Sequence, residues 1–465
     1  MGAHARLPRQ APLSAARRPL ALAIVGLGAA LAPLDIAVNI ALPAIVARFG
    51  LALDEVQWIV VCYVLVYGSL MLVCGRLGDV FGHRRVFRAG LAVSAVACAA
   101  CAAAPDWPFF LWARALQGVG TALSLACAPA LATELYPPAE RTRALGAFAA
   151  MQAGAATAGP LLGGAVLALW DWSAVYWMRV PLALAVLAGT SLLPSPRRTD
   201  RPFDARGAAL LAAATATLLL AFVLVQRPAM PALAAMGMFV ASAVLLVWFV
   251  AHARDRADPI LRPGLFADLR FALPNVMNVA AHLTGFAILL LTPFYLLQVL
   301  GLSPVAGGLM LALAPFASTL AAPLAARAAP HVGRRPLAAG GIAVMGLALL
   351  GLATGTAATP VALVAALLVL HGLGSGVLAL AYTDIVTATL PAADRGVAGS
   401  LSLLTRTLGI VGGAAALTTL HRLGADGVTV DGFLAGYRFA FLAGGAGLLG
   451  LLALSALRPS LWRGD

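Results

Sequence analysis

The sequence predicts an all-α polytopic membrane protein that crosses the bilayer fourteen times. Three observations carry the prediction. First, 62% of the 465 residues are hydrophobic and only 11% are charged, less than half the charge of a soluble domain. Second, the apolar residues fall in long unbroken runs near the roughly 20 residues that a spanning helix needs. Lipid satisfies no backbone group, so a span must be a helix or part of a closed barrel. The runs do not alternate, which selects helices. Third, the net charge of +13 comes entirely from Arg, with no Lys in the chain. The Arg residues cluster between apolar runs on alternate loops, which is membrane topology rather than a nucleic-acid surface.

The segments run, in order, over 20–45, 57–75, 87–104, 108–134, 144–169, 173–193, 207–226, 231–251, 273–300, 304–327, 336–356, 360–383, 396–420 and 438–457. The first follows Arg17 and Arg18 and continues past Asp35 and Asn39 to Pro43 without a cleavage site. It reads as an uncleaved first helix and not as a signal peptide. With the N-terminus placed in the cytoplasm, 24 Arg fall on cytoplasmic stretches and four on outer loops. That bias puts both termini inside. Arg114, Arg179 and Arg406 remain within helices. Cys62, Cys74, Cys98, Cys101 and Cys127 all lie in apolar runs and read as small apolar helix residues. Cys98 and Cys101 make a CxxC spacing with no second pair nearby, so no metal is expected.

The chain repeats itself. GLALDEVQ from Gly50 returns as GLSPVAGG from Gly301, an offset of 251. VFGHRR from Val80 returns as HVGRR from His331 at the same offset between glycines, and QGVGTAL from Gln117 returns as HGLGSGV from His371 at 254. Two homologous six-helix halves follow, with segments seven and eight inserted between them. The expected division is a cytoplasmic tail 1–19, an N-terminal bundle 20–193, a linker with two extra helices 194–270, a C-terminal bundle 271–457 and a tail 458–465.

Four segments carry the chemistry. LDIAVNIALP places Asp35, Asn39 and Pro43 four apart, on one helix face. An acid at depth costs about 2.5–3.5 kcal/mol to insert, so Asp35 should face a cavity or a cation. LWARALQGVGTAL places Arg114, Gln117 and Thr121 on one stripe. An Arg keeps its charge, so Arg114 needs an anion or water, and its depth matches that of Asp35. GRLGDVFGHRRVF, read as the loop after helix 2, offers Gly75, Gly78 and Gly82 for a tight turn. Asp79, Arg84 and Arg85 would form a cytoplasmic charge cluster there. GAATAGPLLGG, with Gly154, Gly159, Pro160, Gly163 and Gly164, combines a GxxxG contact with a helix-bending proline.

These four segments resemble the signature motifs of the major facilitator superfamily, in particular its fourteen-helix drug:proton antiporter branch. LLTRTLGIVGGA, from Leu403 to Ala414, is similar to that branch's penultimate helix. The resemblance implies two six-helix bundles that rock about a central site. It implies that Asp35 and Arg114 couple protons, that Gly75, Asp79, Gly82, Arg84 and Arg85 form the cytoplasmic gate, and that the glycines of helix 5 belong to an antiporter. The departures are Val80 in place of a basic residue, Ala37 in place of Thr, Pro330 opposite Asp79 in the repeat, and Arg179 where the branch has Asn. Asn39, Gln117, Arg179, Asn278, His282 and Arg406 are expected to line the cavity, with Asn275 and His371 nearby. The expected activity is export of a small amphiphilic compound, neutral or anionic, in exchange for protons. It needs no cofactor, nucleic acid or second subunit, and is set in the inner (plasma) membrane. A symporter or facilitator for uptake is the alternative on the same fold. A non-transporting sensor or scaffold is disfavoured by the insertion cost of Asp35 and Arg114. An ATP-binding loop is excluded because its motif requires Lys, and no nucleophile constellation supports an enzyme.

Overall fold

The computed structural model describes residues 15–137, 140–194, 204–224, 232–254, 256, 263–389, 397–425 and 429–457. Among these, all regular structure is helical. The helices are α1 (Arg18–Ala30), α2 (Ala37–Phe49), α3 (Leu53–Phe81), α4 (His83–Ala102), α5 (Trp107–Glu134), α6 (Arg141–Leu169), α7 (Ala174–Trp177) and α8 (Arg179–Gly189). They continue with α9 (Ala205–Leu224), α10 (Ala232–Arg254), α11 (Leu269–Phe294), α12 (Pro304–Val332), α13 (Arg334–Leu352), α14 (Val361–Thr389), α15 (Val397–Gly424) and α16 (Val430–Ala456).

Twelve spans among the described residues are long and apolar enough to cross a membrane, with α1–α2 joined as one and α7–α8 as another. The chain is an integral membrane protein. The two expected crossings outside this set are α3, whose apolar stretch is the shorter Glu55–Met71, and α15, a 28-residue helix.

Local sequence explains the helix ends. Asp106, Ser303 and Thr429 each accept from a backbone N–H three residues on, capping α5, α12 and α16. Two expected helices are broken. Pro33 cannot donate to the carbonyl four residues back, so residues 33–36 tighten into a 3₁₀ turn in which the Asp35 N–H bonds Ala32 O at 3.1 Å. Asp35 therefore stands at a break and not on a continuous helix face with Asn39. The expected segment 173–193 likewise divides at Met178, and Arg179 opens α8.

The expected loop after helix 2 is also corrected. Gly75 to Phe81 continue α3, and the only break is Gly82, at φ 92°. Four glycines have positive φ among the described residues: Gly50, Gly82, Gly301 and Gly333, at 64°, 92°, 65° and 86°. They form two pairs, each 251 residues apart. The weak sequence repeat is thus a repeat of backbone conformations that only glycine adopts freely.

Helices α1–α8 pack mainly on one another, and α11–α16 do the same. The pair α9–α10 stands between them in sequence, and α9 touches α3 and α15. Asp204 caps α9 at Gly207 and meets His252 Nε2 at 2.9 Å, tying α9 to α10. The two groups meet most closely where α6 crosses α12. A Cβ on Gly164 would lie 2.5 Å from the Pro304 carbonyl oxygen, and one on Gly308 would overlap the Pro160 carbonyl. Backbone meets backbone there because no side chain intervenes. Toward the other end of α6, a Cβ on Gly146 or Gly154 would meet nothing within 4 Å.

Candidate functional site

The break in the first span aims Asp35 into the first helix group. From α5, Arg114 grips the carboxylate with both guanidinium arms, Nη1 to Oδ1 at 2.8 Å and Nη2 to Oδ2 at 2.9 Å. Gln117, one turn on, donates to Oδ1 at 3.0 Å and accepts from Arg114 Nη1 at 2.8 Å. Arg179, at the start of α8, donates to the same Oδ1 at 2.5 Å. Arg114 Nε donates to the Ile59 carbonyl of α3 at 2.7 Å. Arg114 is 0% and Arg179 1% exposed, and Asp35 8%.

Aromatic faces complete the shell. The Arg114 guanidinium lies 4.7 Å from the Tyr63 ring centroid, and that of Arg179 lies 4.8 Å from Tyr176. Tyr176 packs edge-on to Phe110 and Trp172, which reach Phe49. These rings cover one end of the network and keep water from it. A cation over an aromatic face in such a place gains on the order of 2 kcal/mol.

The charges do not balance: one carboxylate meets two guanidinium groups. Oδ1 accepts three donors and Oδ2 one, while Arg179 Nη2 is buried without a partner. Arg179, expected to line the cavity, is instead joined to Asp35. The only advance signal was its departure from the branch pattern.

The helix-5 glycines back directly onto this break. A Cβ on Gly159 would lie 3.3 Å from Leu34 O and Ala37 N, and one on Gly163 2.7 Å from Ala37 O. Thus α6 holds both sides of Asp35 while its next glycine meets α12. Gly154 makes no such contact. Asn39 is buried in α2, one turn beyond Asp35.

The gate residues are less assembled. The side chain of Asp79 lies outside the described residues. Arg84 donates to the Ser191 carbonyl at 3.3 Å, and Arg85 is exposed. His83, unnoticed in the sequence, meets Glu134 at 3.2 Å and links α4 to α5.

In the second group, Asn278 donates to Thr405 at 2.8 Å, and Tyr382 donates to Asn275 at 2.9 Å. Thr405 and Tyr382 were not legible as partners, since neither is unusual in an apolar helix. His282 Nδ1 lies 2.9 Å from the Asn278 carbonyl oxygen, and Arg406 is exposed. The five cysteines are free thiols. Among the described residues no cluster of side chains could hold a metal ion.

A helical bundle with twelve candidate spans among the described residues, an internal repeat and a buried acid–arginine network fits a secondary-transporter architecture. The comparisons make the class specific: the family profile for the Major Facilitator Superfamily matches residues 20–258, and the chain belongs to that superfamily. It is a transport protein and not an enzyme. It is 32% identical to the puromycin resistance protein pur8 of Streptomyces alboniger, covering 90% of this chain and 86% of that one. It is 27% identical to the riboflavin transporter RibZ of Clostridioides difficile, covering 85% and 86%. Its fold is similar to that of a peptide transporter of the POT family crystallised with sulfate, with a TM-score of 0.70, 16% identity and 98% of each chain covered.

Proposed function

We propose that the protein exports small amphiphilic compounds, such as drugs or antibiotics, in exchange for protons. The observation that carries the reading is Asp35 held by Arg114, Gln117 and Arg179 at a helix break braced by Gly159 and Gly163. In this reading α3 and α15 complete fourteen crossings, and both termini face the cytoplasm. Residues 20–193 and 271–457 are the moving bundles, 194–270 is the inserted linker, and 1–19 and 458–465 are tails. The α6–α12 seam then lies toward the outer face.

A proton arriving at Asp35 binds Oδ2, the oxygen with one donor, and displaces Arg114 Nη2. The neutral acid no longer anchors two cations, and the bracket on the 3₁₀ turn loosens. The freed movement passes through Gly159 and Gly163 into α6, and from Gly164 into α12. Gly75, Asp79, Gly82, Arg84 and Arg85 act as the inner gate. The proton gradient supplies the energy and no cofactor takes part. The protein acts as a monomer in the inner (plasma) membrane. Export is supported by the resemblance to a resistance protein. A second reading, a symporter or facilitator for a small metabolite, draws on the match to a riboflavin transporter.

The test is reconstitution in liposomes with an imposed pH gradient and an internal pH-sensitive dye. Cationic, neutral and anionic amphiphiles are added to wild type and to Asp35→Asn. A compound that dissipates the gradient through wild type alone establishes exchange at Asp35. Labelled compounds that equilibrate without moving protons, equally in both proteins, overturn it.

A further inference from the structure

The Asp35 network leaves the basic residues of the second helix group unexplained. Thr284 of α11 packs against Gly444 of α16, and residues two apart on a helix point to nearly opposite sides. His282 therefore lies on the side of α11 opposite that contact, where it meets Gly409 of α15. Its Nδ1 is engaged by the Asn278 carbonyl, which leaves Nε2 as the nitrogen available to a ligand.

On α15, Gly409 packs against His282 and Val279, while Thr407 packs against Gly68 of α3 in the other group. Arg406 lies between these two contacts, in the gap between the groups, and is exposed. From α14, His371 brings its ring against Gly285, where a Cβ would lie 3.4 Å from Cε1 and Nε2. Gly285 follows His282 by one turn, so both imidazoles share one region. His371 is 8% exposed, and its Nε2 is buried without a partner.

Among the described residues no acid is placed against this cluster. The charged and histidine residues of α15 are Arg406, His421 and Arg422, and α14 adds His371. The charged residues of the other elements packed on α11 lie toward their ends: Arg48 on α2, Arg327 and His331 on α12, Arg334 and Arg335 on α13, and Asp431 and Arg438 on α16. Asp384 lies near the end of α14, 4.0 Å from Arg334. Asp35 is already held by two guanidinium groups.

We infer that His282, His371 and Arg406 form an anion subsite that takes the acidic group of an exported amphiphile. Arg406 supplies the fixed charge at the mouth, and the imidazoles supply donors deeper in. An anion bound there favours the protonated imidazoles, so by linkage its affinity rises as pH falls. The assignment rests on the export reading but fails separately from it.

The test uses the full chain in lipid nanodiscs and two fluorescent probes of one scaffold. One is dansyl-taurine, permanently anionic, and the other is its trimethylammonium analogue. Dansyl-taurine should bind about tenfold tighter at pH 5 than at pH 8, and about tenfold tighter than the cation at pH 5. Arg406→Gln should weaken it about tenfold at both pH values, and Arg406→Lys should retain it. His282→Gln with His371→Gln should flatten the pH dependence without changing binding of the cation. Equal affinity for the two probes, or loss of both in the histidine variants, overturns the subsite. Anion binding as expected without proton flux in liposomes would leave the subsite standing and the export reading failed.

Discussion

The two helix groups are built on one plan and filled with different chemistry. Gly50 and Gly301 share a positive φ of 64° and 65°, and Gly82 and Gly333 share one of 92° and 86°. Gln117 and His371 occupy matching places in the repeat. Around Gln117 a carboxylate and two guanidinium groups form a buried ionic network. Around His371 no acid is present among the described residues, and the neighbouring polar contacts join neutral groups: Asn278 to Thr405, and Tyr382 to Asn275. The fold thus requires the glycines but not the charges. Removing one member of a buried ionic network leaves its partners uncompensated, whereas a neutral pair loses only one hydrogen bond.

The sharpest way to break this contrast is Asp35→Asn. It leaves Arg114 and Arg179 facing each other without a counter-charge, and should lower stability by about 3–5 kcal/mol, read as the thermal unfolding midpoint in lipid nanodiscs. Adding Arg179→Asn to that variant should restore part of the loss; no restoration would mean that Arg179 is not part of the ionic balance. Next in size is Gly164→Val. Its side chain must enter the contact with Pro304, so destabilisation of about 1–3 kcal/mol is expected, together with loss of transport in the liposome assay. Arg179→Asn alone leaves a one-to-one pair of Asp35 and Arg114. It should keep the fold within about 1.5 kcal/mol and alter which compounds move protons. Smallest is Tyr382→Phe, which removes the bond to Asn275 and should cost about 0.5–1.5 kcal/mol. If it matches Asp35→Asn in the same unfolding measurement, the contrast between the groups fails.

Much of this was legible from the chain alone. Apolar run length placed the helices, and the matching depths of Asp35 and Arg114 pointed to one another. The misreadings share a physical cause: periodicity does not report where a helix breaks. Pro33 was visible, but its effect on Asp35 was not, because membrane helices tolerate proline. The signature after helix 2 looked like a loop from its glycines, yet only Gly82 needs a conformation closed to other residues. Arg179 was found as an oddity, but its partner lies 144 residues away, beyond any local pattern. Tyr382 and Thr405 gave no signal because their pairing depends on how α14 and α15 cross α11.

The long reach of the Asp35 network also bears on how the protein is made. Its carboxylate precedes Arg114 by 79 residues and Arg179 by 144. During synthesis the first span must enter the insertion machinery with an acid that has no counter-ion. The N-terminal bundle cannot be completed until α8 has emerged. Premature release of α1 and α2 into lipid is opposed by that bare charge, so biogenesis itself is ordered: the cations come last and lock the bundle.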